Sequence, residues 1–211
     1  MIYKKILMAT MCLTAAFAFS SCAGDDELDV NRKADKIGVN QMFIEGTTLD
    51  ATCDLEIRHY VGQWKNYPDQ YSVNVTAHDS LYEWHGNFVL DEDIVGTSIN
   101  LADPKPDTDM NYFSASLIKL YYIDKGKRAR MWKFSLYGYG HSTFEEESLG
   151  YTSCFTSGTF KSSYGKKGFE ISLSGVFVDG KAYSLKIVVP EEKIVRRDVE
   201  GFAEIAYHGP A

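Results

Sequence analysis

The histidines and cysteines are the residues from which a metal site could be built, but their spacing matches no common ligand pattern. Zinc sites often place their ligands a few residues apart, as Cys-x-x-Cys pairs or as His-Glu-x-x-His on a helix. The nearest grouping in this chain is His78 and His85, with Asp79 and Glu83 between them. We therefore expect solvated histidines at strand ends, no metal and no cofactor.

The segment 107–111 (Asp-Thr-Asp-Met-Asn) has the first three oxygen-bearing positions of a calcium loop. Such a loop needs Gly at its sharp turn and a bidentate Glu at its last position. Tyr112 and Ile118 occupy those two places. The segment is therefore predicted to belong to an acidic, proline-rich loop, which begins near Pro104 and Pro106, without calcium.

Carboxylates and hydroxyls are present without the partners that catalysis requires. A serine nucleophile needs a base and an orienting acid, and the Gly-x-Ser-x-Gly turn that often carries it is absent. The acidic runs 91–93 and 145–147 are adjacent carboxylates, which are typical of solvated loops. We predict no catalytic residue and a protein that is not an enzyme.

The formal charge of the 211-residue chain is −7. A negative surface repels phosphate backbones, and the sequence has no glycine-rich phosphate loop and no basic patch interleaved with aromatic residues. Nucleic acid is therefore not an expected partner.

Aromatic side chains make up 14% of the residues, and Tyr outnumbers Phe. Tyr and Trp combine a flat apolar face with a hydrogen-bonding edge, which suits sugar rings and protein interfaces. Two predicted loops carry the candidate ligand-binding residues, which are Tyr60, Trp64 and Tyr67 in the first and Tyr137 and Tyr139 in the second. The alternative is that these rings pack the core or cover strand edges.

The N-terminus has the layout of a secretory signal, with Lys4 and Lys5 followed by an apolar run at 6–19 and then small residues. The run is shorter than the 20 or so residues that span a bilayer. The sequence Phe19-Ser20-Ser21-Cys22 resembles a bacterial lipobox, with Phe19 where that family usually has Leu. The resemblance implies cleavage after residue 21 and diacylation of Cys22, which would hold the mature chain on a membrane.

The residues after Cys22 are polar and charged up to about residue 37. This composition predicts a flexible tether over residues 22–37, followed by a single domain over residues 38–211. The run Asp25-Asp26-Glu27 resembles the acidic tether of Bacteroidota surface lipoproteins. That resemblance implies lipid anchoring in the outer membrane and display on the cell surface.

Cys53 and Cys154 are the cysteines that remain in the predicted domain. In an exported protein, such a pair can form a disulfide that closes a long loop. The sequence leaves open whether they form this disulfide or are two buried free thiols.

Apolar residues alternate with polar ones at a period of two over several segments, which predicts strands with one wet face. The clearest alternating sets are Ala51, Cys53, Leu55 and Ile57, and Tyr71, Val73, Val75 and Ala77. Turn signals at 124–127, 164–168 and 179–180 predict a run of hairpins in the second half. We expect an all-β domain, an antiparallel β-sandwich or small β-barrel of about eight to ten strands.

Residues 157–160, 168–175 and 179–181 resemble the C-terminal strands of small Bacteroidota lipoproteins of the β-sandwich or calycin-like kind. The resemblance agrees with the fold and implies no ligand. Asp79-Ser80-Leu81 resembles the short acceptor pattern for O-glycosylation in the same phylum. This implies an exposed, modified Ser80.

Three functions remain open. The first is a non-catalytic binding module whose loop aromatics contact a glycan or a host or cell-surface protein, and which predicts one exposed aromatic patch. The second is a structural or assembly lipoprotein of an outer-membrane complex, which predicts an apolar face or an unpaired strand edge. The third is a calycin-like carrier, with a small apolar ligand in a cavity lined by residues such as Leu117, Ile171 and Leu173.

Overall fold

The computed structural model describes residues 33–104, 113–123, 127–137, 142–150 and 152–200. Within these ranges it contains thirteen strands and three short 3₁₀ turns. The turns cover Gly62–Trp64, Glu92–Ile94 and Glu191–Lys193. The strands are β1 (Gln41–Ile44), β2 (Thr47–Tyr60), β3 (Gln70–His78), β4 (Tyr82–Asp91), β5 (Ser98–Asn100), β6 (Phe113–Ile123), β7 (Lys127–Tyr137), β8 (Ser142–Phe144), β9 (Glu147–Gly150), β10 (Phe155–Gly165), β11 (Gly168–Phe177), β12 (Ala182–Val189) and β13 (Ile194–Val199).

The expected all-β class is confirmed, with more strands than the eight to ten predicted. Twelve strands form one continuous antiparallel path in the order β5-β10-β11-β12-β1-β2-β3-β4-β6-β7-β8-β9. This sheet is curled into a half-barrel. The additional strands are short, from three to six residues, and most of them lie at the sheet edges or beside β2.

Strand β13 runs parallel to β2, although the rest of the sheet is antiparallel. The first residues of β2 pair with β1, and the later ones, from Leu55 to Tyr60, pair with β13. The long strand β2 therefore has two different neighbours along the same edge. This arrangement places the charged strand β13 at one end of the half-barrel.

The alternating apolar residues of β2 and β3 face the interior of the curl, as the sequence predicted. Most of the buried apolar residues form one cluster, which draws on both halves of the sheet. Phe88 of β4 stacks on Phe160 of β10 with 6.1 Å between ring centroids, and Phe134 of β7 meets Phe155 at 5.2 Å. Because these contacts join strands that are distant in the sheet, burial of the rings stabilises the curl.

The strand pairs predicted around the three turn signals are confirmed, because β6 and β7, β10 and β11, and β11 and β12 are antiparallel neighbours. The first pair extends to Ile123 and Lys127, and residues 124–126 between them lie outside the described residues. At the last turn Gly180 has φ of +84°, and the side chain of Asp179 accepts a hydrogen bond from the N–H of Lys181. A left-handed residue and an Asx contact are what an Asp-Gly turn provides.

Gly158 and Gly175 face each other across β10 and β11. A Cβ atom at Gly158 would lie 2.6 Å from the Gly175 Cα and 2.7 Å from the Ser174 carbonyl oxygen, and its φ is +146°. Only glycine fits both the space and the backbone conformation. The pair lets the two strands approach closely next to a register shift between Phe155 and Ser157.

The described end of the predicted tether lies on the domain. Ala34 is buried, and together with Ile37 it packs against Phe43 of β1 and Ala182 of β12 on the outer side of the sheet. None of the described residues belongs to a helix that is long and apolar enough to cross a membrane.

Candidate functional site

The strand register places a group of polar side chains at one end of the half-barrel interior. Ile57 and His59 continue the inward-facing side of β2, and their parallel partners on β13 are Arg196 and Asp198. Side chains of paired residues lie on the same face of a sheet. The apolar interior therefore ends in a charged opening, which we call the cleft.

The cleft has a volume of about 540 Å³ and is open to solvent. The rings of Tyr71 and Tyr164 form an aromatic wall on one of its sides. Phe169 is fully buried behind this wall, with its ring centroid 5.1 Å from that of Tyr71 and 6.1 Å from that of Tyr164. Tyr71 is buried, whereas Tyr164 is 43% exposed. The residues that line the cleft are Ile57, His59, Asp69, Tyr71, Tyr164, Arg196, Arg197 and Asp198.

His59 and Asp69 lie at the two ends of the loop that joins β2 to β3. The Nδ1 atom of His59 is 2.7 Å from Oδ1 of Asp69. This hydrogen bond, and then the charge of Asp69, raise the pKa of His59 above its ordinary value. With Nδ1 held by Asp69, the other ring nitrogen, Nε2, is left for a ligand or water.

On the other side of the cleft, Arg196, Glu191 and Tyr164 bond to one another. The Nη2 atom of Arg196 donates to Oε1 of Glu191 at 2.7 Å and to the Tyr164 hydroxyl at 2.8 Å. The Tyr164 hydroxyl donates in turn to the other oxygen of Glu191. The hydrogen bond from Tyr164, and then that from Arg196, lower the pKa of Glu191. The triad fixes a guanidinium and a phenol at the cleft rim.

The opposite end of the interior is closed by ion pairs. Lys133 is 1% exposed, and its Nζ lies 2.6 Å from Glu145 and 3.6 Å from Glu45. Lys133 is the extra residue at the bulge between β6 and β7, where Leu117 pairs with Phe134 and Ile118 pairs with Trp132. Bulges commonly redirect a side chain in this way.

Lys119 belongs to the same closed end. Its Nζ is 2.7 Å from Glu45, and it lies 3.9 Å from the Tyr82 ring centroid and 4.8 Å from that of Trp84. Cation–π contacts and ion pairs together hold this end shut. A ligand that approaches the interior therefore meets the His59–Arg196 end.

A second depression, of about 440 Å³, lies over β10, β11 and β12. Its lining includes Ser163, Ser172, Lys161 and Lys186 and contains no aromatic ring. Because it lacks a flat apolar face, it is a weaker candidate for sugar binding than the cleft.

The first group of predicted ligand-binding aromatics comes together in the β2–β3 loop. The Tyr67 ring is 6.2 Å from Tyr60 and 5.3 Å from Trp64. The three rings do not form one exposed patch, because Tyr60 is 2% exposed and Trp64 is half-buried, while Tyr67 is 40% exposed. Tyr60 lies on the opposite face of β2 from His59, so the group borders the cleft through the loop and does not line it.

The second predicted group is not described. Tyr137 is the last residue of β7, but its side chain lies outside the described residues, as does the whole of Tyr139. The segment 107–111 and Cys22 also lie outside them.

Cys53 and Cys154 are free thiols in the structure, which is the alternative to the disulfide. Cys53 Sγ contacts the carbonyl oxygen of Val188, and Val188 pairs with Glu170 at one end of β11. The carbonyl oxygen of Cys154 accepts a hydrogen bond from the N–H of Val178, just beyond the other end of β11. Eight residues of strand separate these places, or about 26 Å. A disulfide requires Cα atoms within about 7 Å. Burial raises the pKa of Cys154 to about 12 and also raises the pKa of Cys53, so both thiols are poor nucleophiles.

Ser80 is exposed in the β3–β4 turn, where Asp79 accepts hydrogen bonds from the N–H groups of Leu81 and Tyr82. O-glycosylation of Ser80 stays a prediction. His85 bonds to Glu83 at 2.8 Å. Within the described ranges, no three His, Cys, Asp or Glu side chains are grouped as a metal site would require.

The sequence did not single out His59, Asp69, Tyr164 or Arg196 as site residues. They come from three distant parts of the chain, and the parallel pairing of β13 with β2 brings them together. A usable signal was the strand-like run Ile194–Val199, in which Arg196 and Asp198 occupy alternate positions that would be apolar on a buried inward face. Charged residues on an inward face indicate an opening.

No known protein family matches this chain, and no curated protein or solved structure shows significant similarity to it.

Proposed function

We propose that this chain is a lipid-anchored, surface-displayed lipoprotein that acts as a non-catalytic binding module and holds a glycan in the cleft. The observation that carries the proposal is the combination, in one open cleft of about 540 Å³, of an aromatic wall and fixed hydrogen-bonding groups. Sugar rings stack on aromatic faces while their hydroxyls bond to planar polar side chains.

The cleft residues are held in place before any ligand arrives. Arg196 is fixed by Glu191 and Tyr164, and His59 is fixed by Asp69. A binding site whose side chains are already ordered loses less entropy when a ligand binds. This supports recognition by the cleft itself, with Trp64 and Tyr67 of the neighbouring loop as further contacts for a longer glycan.

The position of the cleft also supports its display at the end of the domain that lies farthest from the membrane anchor. Ala34 and Phe43 meet near the closed end of the half-barrel, so a tether anchored at Cys22 would reach the domain there. From Thr47 to His59, β2 runs twelve residues to the cleft, or about 40 Å. We infer that the cleft faces away from the anchored surface.

The other functions have less support. In a calycin-like carrier, Leu117, Ile171 and Leu173 would line a cavity, whereas here they are at most 2% exposed and belong to the packed core. We therefore favour an open half-barrel with a site at its mouth over a sandwich or a closed barrel with an internal ligand. A structural or assembly role would use the short edge strands β5 and β9, which offer few free backbone groups.

Glycan-array binding of the full chain, purified in detergent, tests this proposal. We expect binding to at least one glycan, and a loss of about tenfold or more in affinity for His59→Ala and for Arg196→Ala. Trp64→Ala should weaken binding of long glycans more than short ones.

Lys161→Ala is the matched control, because Lys161 is exposed and lies in the second depression. Equal losses in Lys161→Ala and Arg196→Ala would place the site elsewhere. Absence of binding to every glycan would reject the glycan proposal in favour of a protein partner, which cross-linking on intact cells would then identify.

A further inference from the structure

The two cationic side chains on the inward face of the cleft already have carboxylate partners. Arg196 bonds to Glu191 at 2.7 Å, and His59 bonds to Asp69 at 2.7 Å. Arg197 reaches the rim from the other face of β13 and lies 3.9 Å from Glu56, whose closer partner is Arg58 at 2.9 Å.

One carboxylate of the lining is unmatched. Asp198 pairs in register with His59, is exposed, and forms no ion pair or side-chain hydrogen bond within the described part of the chain. Its charge contributes to the raised pKa of His59, which shows that the two groups are close enough to interact. The inward face of the cleft therefore has three carboxylates, on Asp69, Glu191 and Asp198, beside two cationic side chains, and Asp198 offers free acceptor oxygens.

We propose that the cleft selects uncharged, polyhydroxylated glycans and excludes glycans that carry carboxylates. The inference rests on the proposed function, and it specifies the class of ligand. Ligand hydroxyls can donate to Asp198 and Asp69 and accept from the remaining N–H groups of Arg196, since a guanidinium has five.

A ligand carboxylate would face a different situation at the same place. It would compete with Glu191 for Arg196 and would be repelled by the charge of Asp198. Hydroxyls require no such exchange of partners. A neutral ligand therefore gains hydrogen bonds without disturbing the cleft, whereas an acidic ligand would have to break the ion pair between Arg196 and Glu191.

The test compares polysaccharides that differ only in charge. Alginate, polygalacturonate and hyaluronan are each immobilised beside their carboxyl-reduced forms, and binding of the full chain in detergent is measured by biolayer interferometry. We expect the affinity for each carboxyl-reduced form to be at least about tenfold higher than the affinity for the corresponding acidic form.

Glu191→Gln changes this preference in a defined direction, because it releases Arg196 from its carboxylate. We expect the ratio of acidic to neutral binding to rise by about tenfold in this variant. Glu192→Gln is the matched control: Glu192 is the exposed neighbour outside the triad, and the substitution removes the same charge. In Glu192→Gln, the ratio of acidic to neutral binding should stay at its wild-type value.

The outcomes separate this inference from the function on which it rests. Binding of an acidic form as tightly as its reduced form would overturn the selectivity and leave a glycan-binding function standing. An equal rise of the ratio in both variants would also overturn it, because general charge would then explain the effect. Absence of binding to all six polymers and to every glycan of the array would overturn both.

Discussion

The pair of His59 and Asp69 makes the stability of the fold depend on pH. The pKa of His59 is raised in the folded protein, so its pair with Asp69 stabilises the fold fully below the ordinary histidine pKa of about 6.5. This stabilisation is lost as the pH rises through the higher, folded-state pKa.

The pH dependence can be measured by urea unfolding of wild type and His59→Gln. We expect the substitution to lower the stability more at about pH 6 than at about pH 9. His78→Gln is the control, because His78 is exposed at the other end of β3 and has no ion pair among the described residues. A pH-independent difference for His59→Gln would mean that the pair does not contribute through charge.

Single residues also show where prediction from sequence stops. Tyr60, Trp64 and Tyr67 were predicted as a group because Tyr and Trp suit ligands, and they do meet in one loop. The burial of Tyr60 could not be predicted, because this ring is on the outer face of β2 and is covered by the loop itself. His59, one residue earlier, points the other way and lines the cleft.

At the scale of strands, long alternating segments predicted the fold well. Strands β2 and β3 were predicted from their period of two, and β11 and β12 were predicted from the turn signals that bound them. The short strands did not give a readable period: β5 and β8 have three residues each. Such strands form because a neighbour offers free backbone groups, and that depends on contacts distant in sequence.

The hairpin of β10 and β11 gives a test of this packing. In Gly158→Ala, the new Cβ must displace Gly175 or Ser174 while the backbone keeps an unfavourable φ. We expect a loss of stability of about 3 kcal/mol from overpacking and strain together. The free energy of unfolding in urea measures it.

Gly165→Ala is the control in the same strand, because a Cβ there meets nothing within 4 Å. Its stability should change by less than about 1 kcal/mol. Equal losses in the two variants would show that glycine acts at both sites through chain flexibility and that close approach of the strands is unimportant.

For the whole molecule, the two ends of the half-barrel have different roles. One end is closed by Lys133, Lys119 and their glutamates, and the chain joins the domain near it. The other end carries the cleft. The sequence predicted a tether followed by a domain, but it did not predict this polarity, because the polarity depends on the register of β13 with β2.

Lipid anchoring is the remaining prediction at this scale, and it depends on one residue. When the chain is produced in a bacterium fed a palmitate analogue, we expect the label on the wild-type protein and its loss in Cys22→Ser. Two or more acyl chains hold a protein on a membrane, so the unlabelled variant should move to the aqueous phase in a detergent partition.

Cys12→Ser is the control: Cys12 lies within the predicted signal, and labelling should persist. Labelling that survives in Cys22→Ser, or is lost in Cys12→Ser, would contradict the lipobox and with it the display of the cleft on a membrane.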